Sequence, residues 1–329
     1  MINIFVFFVL AYIIIIAGKR LSICGDKLGE EMGLEKSWVG IIMLASITSL
    51  PELITSTSST LMGNPDMAIS NIFGSNLFNI FIIFILDVFF IKNSFSSSVS
   101  MKNYLSAFFS IFLTIIFLLG FVFGKITVFK ISLISIILFL LYFVAIKLIY
   151  EFEHNYDFND PEEINPEDAI VMNMKQAKKG FVGSSLTVIT TGVALTYVAD
   201  RIAITPIFGI NLGESFVGVI LLALATSLPE LTVSLQAIKM GSFNMAAGNV
   251  LGSNIFNITI VFVADLLYRK GSIFESLTEF HIISAIFSLV VLLVFMIGIL
   301  FRKKKIKIDS WIIGAVYILA MYILYLKRY

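Results

Sequence analysis

Ten long apolar segments constrain this chain more than any other feature. A transmembrane helix needs about 17–25 mostly apolar residues, and 58% of the 329 residues are hydrophobic. The segments are residues 2–17, 37–62, 66–90, 102–121, 127–149, 180–200, 214–239, 244–268, 279–301 and 308–326. Backbone groups in lipid must be hydrogen-bonded within the protein. The segments are too long and too continuously apolar for barrel strands, so they predict an all-α polytopic membrane protein in a lipid bilayer.

Composition excludes several other classes of protein. The net charge of +1 and the lack of a basic stripe give no indication of nucleic-acid binding. The single cysteine, Cys24, excludes an internal disulfide framework and a multi-cysteine metal site. The first apolar segment has no basic region before it and no small-residue cleavage site, so we expect a retained helix, not a cleaved signal peptide. No cofactor and no required protein partner are evident.

Lysine and arginine are distributed unevenly between the loops. If the N-terminus is outside the cell, the inside loops hold 16 of these residues and the outside loops hold 7. Positive residues are enriched on the cytoplasmic side of membrane proteins. With ten spans in the cell membrane, both termini are therefore expected to be extracellular.

The sequence contains an internal repeat. Residues 45–79 and 223–257 align without a gap at a constant offset of 178, and 18 of the 35 positions are identical. The window includes SLPE at 49–52 and again at 227–230, and Asp87 and Asp265 match at the same offset beyond it. A match of this length, rich in polar residues within apolar helices, indicates duplication.

The number of helices between the two copies determines their relation. The first copy lies on helices 2 and 3 and the second on helices 7 and 8, so the repeat unit has five helices. An odd number of crossings inverts the second unit in the membrane, an arrangement that recurs in transporters. We therefore predict repeats at 1–150 and 179–329, joined by a cytosolic acidic linker at 151–178.

The linker has eight acidic residues and two prolines between Glu151 and Asp168. Acidic residues at this density could form a regulatory cation site, but no EF-hand spacing is present. A solvated linker is the simpler interpretation.

Two glutamates lie near the centres of their apolar segments. A charged side chain there costs about 2.5–3.5 kcal/mol on insertion scales, and Glu52 and Glu230 incur that cost at repeat-related positions. A carboxyl group neutralised by a proton or by a neighbouring backbone group is the alternative to a functional pair. The repetition favours function.

Each glutamate follows a proline. Pro51 and Pro229 cannot donate to the carbonyls four residues earlier, at Ile47 and Ala225. Carbonyls near 45–48 and 223–226 are then free to tilt off the helix axis, and such freed carbonyls bind hard cations in broken transporter helices. A simple packing kink is the alternative. Each break would also present hydroxyl groups, those of Thr48, Ser49, Thr226 and Ser227.

The second helix of each pair contains GSN, in NIFGSNLFN at 71–79 and NVLGSNIFN at 249–257. Polar residues at a spacing of four share one helix face. The repeat favours four of them as cation ligands, namely Ser75, Asn79, Ser253 and Asn257. For the other asparagines, adhesion between helices and ion binding remain equally open; these are Asn71, Asn76, Asn249 and Asn254.

All candidate ligand atoms are oxygen. Neither motif has a cysteine or histidine nearby, which argues against soft metals, and oxygen-only sites suit Na⁺ or Ca²⁺. Two ionised glutamates carry a charge of −2, which one Ca²⁺ or two Na⁺ would neutralise. Competition for one carboxylate pair is a sufficient basis for ion exchange.

The two motifs, TSLPE followed by GSN, present twice and inverted, resemble the α-repeats of the sodium/calcium exchanger family. The resemblance implies a central Ca²⁺ site at Glu52 and Glu230 with the backbone oxygens of Thr48 and Thr226. It also implies Na⁺ sites at the Ala45 and Ala223 carbonyls and at Ser49, Ser227, Ser75 and Ser253, with Asn79 and Asn257 lining the middle. The helices at 2–17 and 180–200 would act as a sliding gate.

The chain departs from the family pattern at two places. Many relatives have an aspartate at one of the positions matching Asn79 and Asn257, whereas both are asparagine here. This leaves open the number of Na⁺ ions, potassium dependence and proton sensitivity. Ile47 and Ala225 replace the glycine that usually precedes Thr-Ser, and their bulk affects packing against the gate.

Na⁺/Ca²⁺ antiport is the leading hypothesis, and Ca²⁺/H⁺ antiport through the same glutamates is its nearest rival. An intramembrane hydrolase would need a general base, but His154 and His281 lie far from both motifs in the sequence. A passive channel is disfavoured, because paired carboxylates bind divalent ions tightly. We therefore do not expect an enzyme.

Overall fold

The computed structural model describes residues 2–92, 94–155, 172–204, 224–301 and 307–326, and most of them are helical. The α-helices are α1 (Ile2–Met32), α2 (Lys36–Trp38), α3 (Ala45–Thr48), α4 (Leu50–Leu61), α5 (Pro65–Phe90), α6 (Phe95–Ser98), α7 (Asn103–Phe123), α8 (Leu133–Asn155), α9 (Met174–Ile204), α10 (Leu228–Lys239), α11 (Phe243–Leu267), α12 (Glu279–Leu300) and α13 (Ile308–Leu326). A π-helical turn, Val39–Leu44, joins α2 to α3, and a 3-10 turn, Ile273–Ser276, precedes α12. The short strands β1 (Thr127–Val128) and β2 (Ile131–Ser132) pair antiparallel.

Nine stretches within the described residues are long and apolar enough to cross a membrane. They correspond to nine of the ten predicted segments, with residues 36–61 counted as one span. The tenth segment, 214–239, is described only from residue 224, and α10 forms its second half. The predicted fold class is confirmed: a polytopic all-α membrane protein of two inverted five-helix repeats.

Helix α1 is about twice as long as the apolar segment that predicted it. The segment ends at residue 17, but the helix continues to Met32. Leu21, Cys24 and Leu28 recur at spacings of three and four and are buried, so one face of this polar extension still packs against the protein. Loss of hydrophobicity therefore indicates where the helix leaves lipid, not where it ends.

The predicted span at 127–149 begins too early, because residues 127–132 form the β1–β2 ladder and α8 starts at Leu133. Asp265 explains the change. Its carboxylate accepts hydrogen bonds from the Ser132 backbone N–H at 2.7 Å and from the Ser135 hydroxyl. These bonds fix the chain at the point where the helix begins.

Asp87 and Asp265 have the same structural role in the two repeats. The Asp87 carboxylate accepts from the Phe95 backbone N–H at 2.9 Å, and that of Asp265 accepts from the Ile273 N–H at 2.7 Å. Phe95 and Ile273 are themselves 178 residues apart. The aspartates thus hold the loop after each GSN helix. Lys307 adds a positive charge 3.5 Å from Asp87.

The helices also extend into both ends of the predicted linker. Helix α8 continues to Asn155, and α9 begins at Met174. Most of the acidic positions, from Asp157 to Asp168, lie outside the described residues. The boundaries at 150 and 179 therefore remain predictions.

Close packing places α11 against the π-helical turn. A Cβ atom on Gly252 would lie 2.7 Å from the Ile41 Cα, and one on Gly248 would lie 2.3 Å from the Ser37 carbonyl oxygen. Both distances are too short for any side chain. Gly252, the glycine of the GSN motif, therefore lets α11 approach the backbone of the first repeat.

We predict that Asp265→Asn destabilises the protein by about 1–3 kcal/mol, because an amide has one acceptor oxygen and would leave a buried N–H unpaired. Thermal unfolding in detergent measures the loss. Glu151→Gln is the control, since within the described residues Glu151 forms an exposed pair with Lys147 of small energetic value. Equal unfolding temperatures for the two variants would contradict the role of Asp265.

Candidate functional site

The second transmembrane helix of each repeat is broken, and the two breaks lie at equivalent residues. In the first repeat α3 ends at Thr48, Ser49 has φ −87° and ψ 2°, and α4 begins at Leu50. In the second repeat Ser227 has φ −92° and ψ 7°, and α10 begins at Leu228. Proline is tolerated in the first turn of a helix because its missing N–H has no partner there. The predicted kinks are therefore full interruptions, with each proline starting a new helix.

Each break brings two helix ends together. Glu52 and Glu230 lie in the first turns of α4 and α10, where the positive end of the helix dipole stabilises a carboxylate. The helical stretch ending at Thr48 directs its terminal carbonyls, which carry partial negative charge, toward the same break. An interruption of this kind presents both carboxylate and carbonyl oxygens.

The proposed ligands are buried without exception among those that the structure describes. Each of them has 0% of its surface exposed: Ala45, Thr48, Ser49, Glu52, Ser75, Asn79, Thr226, Ser227, Glu230, Ser253 and Asn257. Ala223, the remaining predicted ligand, lies outside the described residues. We call this set the carboxylate site.

Contacts across the repeat interface bring these residues into one cluster. The Ser49 hydroxyl donates to Glu230 Oε1 at 3.2 Å, which links the first break to the glutamate of the second. Hydroxyl pairs add two symmetric links. Thr48 Oγ1 lies 3.4 Å from Ser253 Oγ, and Ser75 Oγ lies 3.3 Å from Thr226 Oγ1.

The carboxylate site concentrates buried oxygens that have no hydrogen-bond partner. Within the described residues, twelve buried side-chain polar atoms lack one, and six of these belong to the site. They are both Glu52 carboxylate oxygens, Glu230 Oε2, Asn79 Oδ1, Asn257 Oδ1 and Ser227 Oγ. Buried charged and polar groups are costly unless paired. Cations are one class of partner for such oxygens.

Asn79 and Asn257 are oriented by a second pair of asparagines. The Asn79 amide donates to Asn254 Oδ1 at 3.0 Å, and the Asn257 amide donates to Asn76 Oδ1 at 2.9 Å. Because each N–H group is used in this way, each Oδ1 remains available to a cation. Asparagine at both positions thus leaves a neutral amide oxygen without a hydrogen-bond partner among the described residues.

The four asparagines whose role was left open act between helices. Asn254 donates to the Asn76 backbone carbonyl at 3.2 Å, and Asn76 donates to that of Asn254 at 3.5 Å. Asn71 donates to Ser56 Oγ at 3.0 Å, and Asn249 donates to Ser234 Oγ at 2.9 Å. The same amides also reach the Glu52 and Glu230 backbone carbonyls.

Ser56 and Ser234 were missed as supporting residues. Both are fully buried, and both accept from an asparagine that also holds a glutamate backbone. They are identical at the repeat offset of 178, and this identity was the available signal. Their position on the broken helix, one turn beyond each glutamate, explains their role.

The Ala45 carbonyl is already engaged in this structure. It accepts from the Ser49 backbone N–H at 3.0 Å and from the Thr48 hydroxyl at 3.3 Å. A carbonyl oxygen has two lone pairs. Coordination of an ion by Ala45 therefore requires the Thr48 hydroxyl to turn away.

Helices α1 and α9 lie against the broken helices through glycine. A Cβ on Gly192 of α9 would lie 2.6 Å from Pro51 Cγ and 4.0 Å from Pro229 Cγ, so this glycine contacts both breaks. A Cβ on Gly18 of α1 would lie 2.9 Å from Thr232. Ala225 packs with Ile14 of α1 and with Leu195 of α9. The long helices thus cover the carboxylate site directly.

The two histidines make their contacts elsewhere. His281 contacts Asp66, Ser70 and Thr278, and the His154 ring stacks on Tyr150. Neither of these sets of contacts includes Ser49 or Ser227.

Comparison with known proteins agrees with this geometry. The family model described as sodium/calcium exchanger protein matches residues 2–149 and 177–327. An uncharacterised membrane protein of Methanocaldococcus jannaschii is 27% identical over 97% of this chain and 95% of its own length. The sodium/calcium exchanger MaX1 of Methanosarcina acetivorans is 33% identical, over 29% of this chain and 28% of its own.

A solved structure has the same fold. The sodium-calcium exchanger NCX_Mj, soaked with Na⁺ and Sr²⁺, superposes with a TM-score of 0.73 at 19% identity and covers 97% of both chains. The family match spans both repeats, including the two broken helices and the two GSN helices. This chain therefore belongs to the sodium/calcium exchanger family.

Proposed function

We propose that this protein is a secondary active antiporter that exchanges Ca²⁺ for Na⁺ across the cell membrane. The observation that carries the proposal is the set of six buried, unpartnered oxygens at the carboxylate site, four of them on Glu52, Glu230 and Ser227 and two on the asparagines. Hard cations prefer such all-oxygen ligands. Family membership supports the choice of ions.

The ligand assignments follow from chemistry and position. Glu52 and Glu230 would hold Ca²⁺ with the backbone oxygens of Thr48 and Thr226, since a divalent ion balances both negative charges. Na⁺ ions would use the flanking oxygens, which are the Ala45 and Ala223 carbonyls and the Ser49, Ser75, Ser227 and Ser253 hydroxyls. Asn79 and Asn257 would line the centre.

Charge balance explains why exchange would be coupled. With no ion bound, two carboxylates repel each other in a low-dielectric site. A loaded site is neutral and can be exposed to either side of the membrane, whereas the empty dianion is held in place. Ca²⁺ and Na⁺ would thus compete for the same oxygens, and each would carry the transporter across in turn.

Alternating access would come from α1 and α9. Both helices cover the broken helices, and both make close contacts at glycine. Glycine contacts are smooth and allow one helix to slide along another. We propose that these two helices move as a unit against the remaining helices, opening the carboxylate site first to one side and then to the other.

The proposed orientation has both termini extracellular and the acidic linker in the cytosol, as the distribution of lysine and arginine indicates. In this orientation the 1–150 and 179–329 repeats face opposite sides of the membrane.

In proteoliposomes, an outward Na⁺ gradient should drive uptake of radioactive Ca²⁺, because Na⁺ leaving the lumen supplies the energy. Uptake driven by a pH gradient, with no response to Na⁺, would instead identify Ca²⁺/H⁺ antiport. That alternative uses the same two glutamates, with protons in place of Na⁺.

Glu52→Gln or Glu230→Gln should abolish exchange, because the remaining charge of −1 cannot balance Ca²⁺. The unfolding temperature of the ion-free protein should stay equal or rise, since one like charge is removed from a buried pair. Stabilisation of the wild-type protein by added Ca²⁺ should disappear. Glu151→Gln is the matched control, and full exchange activity in either site variant would refute the assignment.

Gly192→Ala should slow exchange about tenfold, because its Cβ would overlap the Pro51 ring and overpacking costs about 1–3 kcal/mol. Gly183→Ala on the same helix is the control. A Cβ there has no neighbour within 4 Å in the described part of the chain. If both variants transport at the wild-type rate, the sliding contact lies elsewhere.

A further inference from the structure

A buried histidine joins the start of α5 to the start of α12. It lies outside the carboxylate site. His281 lies in the first turn of α12 and is fully buried. Its Nε2 lies 3.0 Å from the Asp66 carbonyl oxygen, 3.0 Å from Ser70 Oγ and 3.2 Å from Asp66 Oδ1. Helix α5 also contains Ser75 and Asn79, so this contact fixes the entry of a ligand helix.

The other ring nitrogen determines the tautomer. The Thr278 backbone N–H donates to His281 Nδ1 at 2.9 Å, and the Thr278 hydroxyl lies 3.1 Å away. Nδ1 must therefore accept, which places the ring proton on Nε2. The histidine thus completes the capping box of α12 with one nitrogen and donates to α5 with the other.

A second proton would break this arrangement. It would have to bind Nδ1, where it would face the Thr278 backbone N–H, and two donors cannot pair. It would also place a positive charge at a helix N-terminus, which is unfavourable. Attraction to the Asp66 carboxylate opposes these effects, but that side chain is 62% exposed and solvent weakens the pair.

The repeat partner of this contact cannot titrate. Asn103 and Asn244 occupy the positions 178 residues from His281 and Asp66. The Asn103 amide donates to Asn244 Oδ1 at 3.2 Å, which joins the start of α7 to the start of α11. The same structural link is thus neutral amide to amide in one repeat and histidine to aspartate in the other.

From this asymmetry we infer that His281 is a positioning residue for the carboxylate site and acts only in its neutral, Nε2-protonated form. It holds the first turns of α5 in place on one side of the membrane. Through this helix it also sets the positions of Ser75 and Asn79. Acid on that side releases α5 but leaves α11, which Asn103 holds, unaffected. Among the described residues, Asp66 is the charged group that contacts the ring from α5, and the acids next to His281 along the chain are Glu279 on α12 and Glu275 in the preceding 3-10 turn.

Hydrogen exchange tests the inference without reference to transport. Protection of amides 69–75 should fall about tenfold, as for loss of a helix cap, when wild-type protein is moved from about pH 7.5 to about pH 4.5, well below the ordinary histidine range, because the site disfavours the second proton. Protection is corrected for intrinsic exchange. His281→Ala should lack this protection at both pH values. His281→Gln should keep it at both, because glutamine satisfies a capping box and cannot titrate.

Amides 247–253 of α11 are the internal control and should show neither effect. Protection of α5 that is unchanged in His281→Ala, or that responds to acid equally in wild type and His281→Gln, would overturn the inference.

A flux measurement links this element to the proposed function, on which that part of the inference rests. Acid on one side of the vesicles should slow Na⁺-driven Ca²⁺ transport by wild-type protein and not by His281→Gln. An equal response of the two proteins would overturn the link. Absence of Na⁺-driven transport in the wild type would refute the proposed function alone, since hydrogen exchange still decides the role of His281.

Discussion

The burial of two carboxyl groups in the carboxylate site is the constraint on which the rest of this structure depends. Glu52 and Glu230 are fully buried, and three of their four carboxylate oxygens make no well-formed hydrogen bond within the described residues. A protein can maintain such a pair only if a cation or a proton binds there, or if other interactions offset the cost. The surrounding oxygens favour a cation.

The broken helices reduce that cost and simultaneously create the site. Each glutamate lies in the first turn of a new helix, where the dipole favours its charge, and each preceding helix ends with carbonyls directed to the same point. Asn71 and Asn249 then tie the glutamate backbones to the neighbouring ligand helices. The same three devices occur in both repeats, so the backbone of the site is pseudo-twofold symmetric, although Ser49 donates to Glu230 and the equivalent Ser227 hydroxyl has no such bond among the described residues.

Much of this could be predicted from the chain alone, because the inverted repeat restricts the geometry so strongly. The eleven predicted ligands that the structure describes are all buried, and four of them lie on the GSN helices. Other features required the structure. No local pattern shows that α1 continues to Met32, since its polar extension is buried against neighbours distant in sequence. Gly192 likewise lies outside both motifs, and its contact with Pro51 depends on how α9 crosses the broken helices.

The sequence by itself determined the membrane class, the inverted topology and the identity of the charged pair, because hydrophobic length, the parity of the spans and an exact repeat offset are properties of the chain. Only the tertiary structure decided which oxygens are left unpaired. Asn79 and Asn76 have the same chemistry and both donate to Asn254, yet among the described residues the Asn79 Oδ1 is left unpaired whereas the Asn76 Oδ1 accepts from Asn257. That difference arises where two helices cross, and no residue carries it alone.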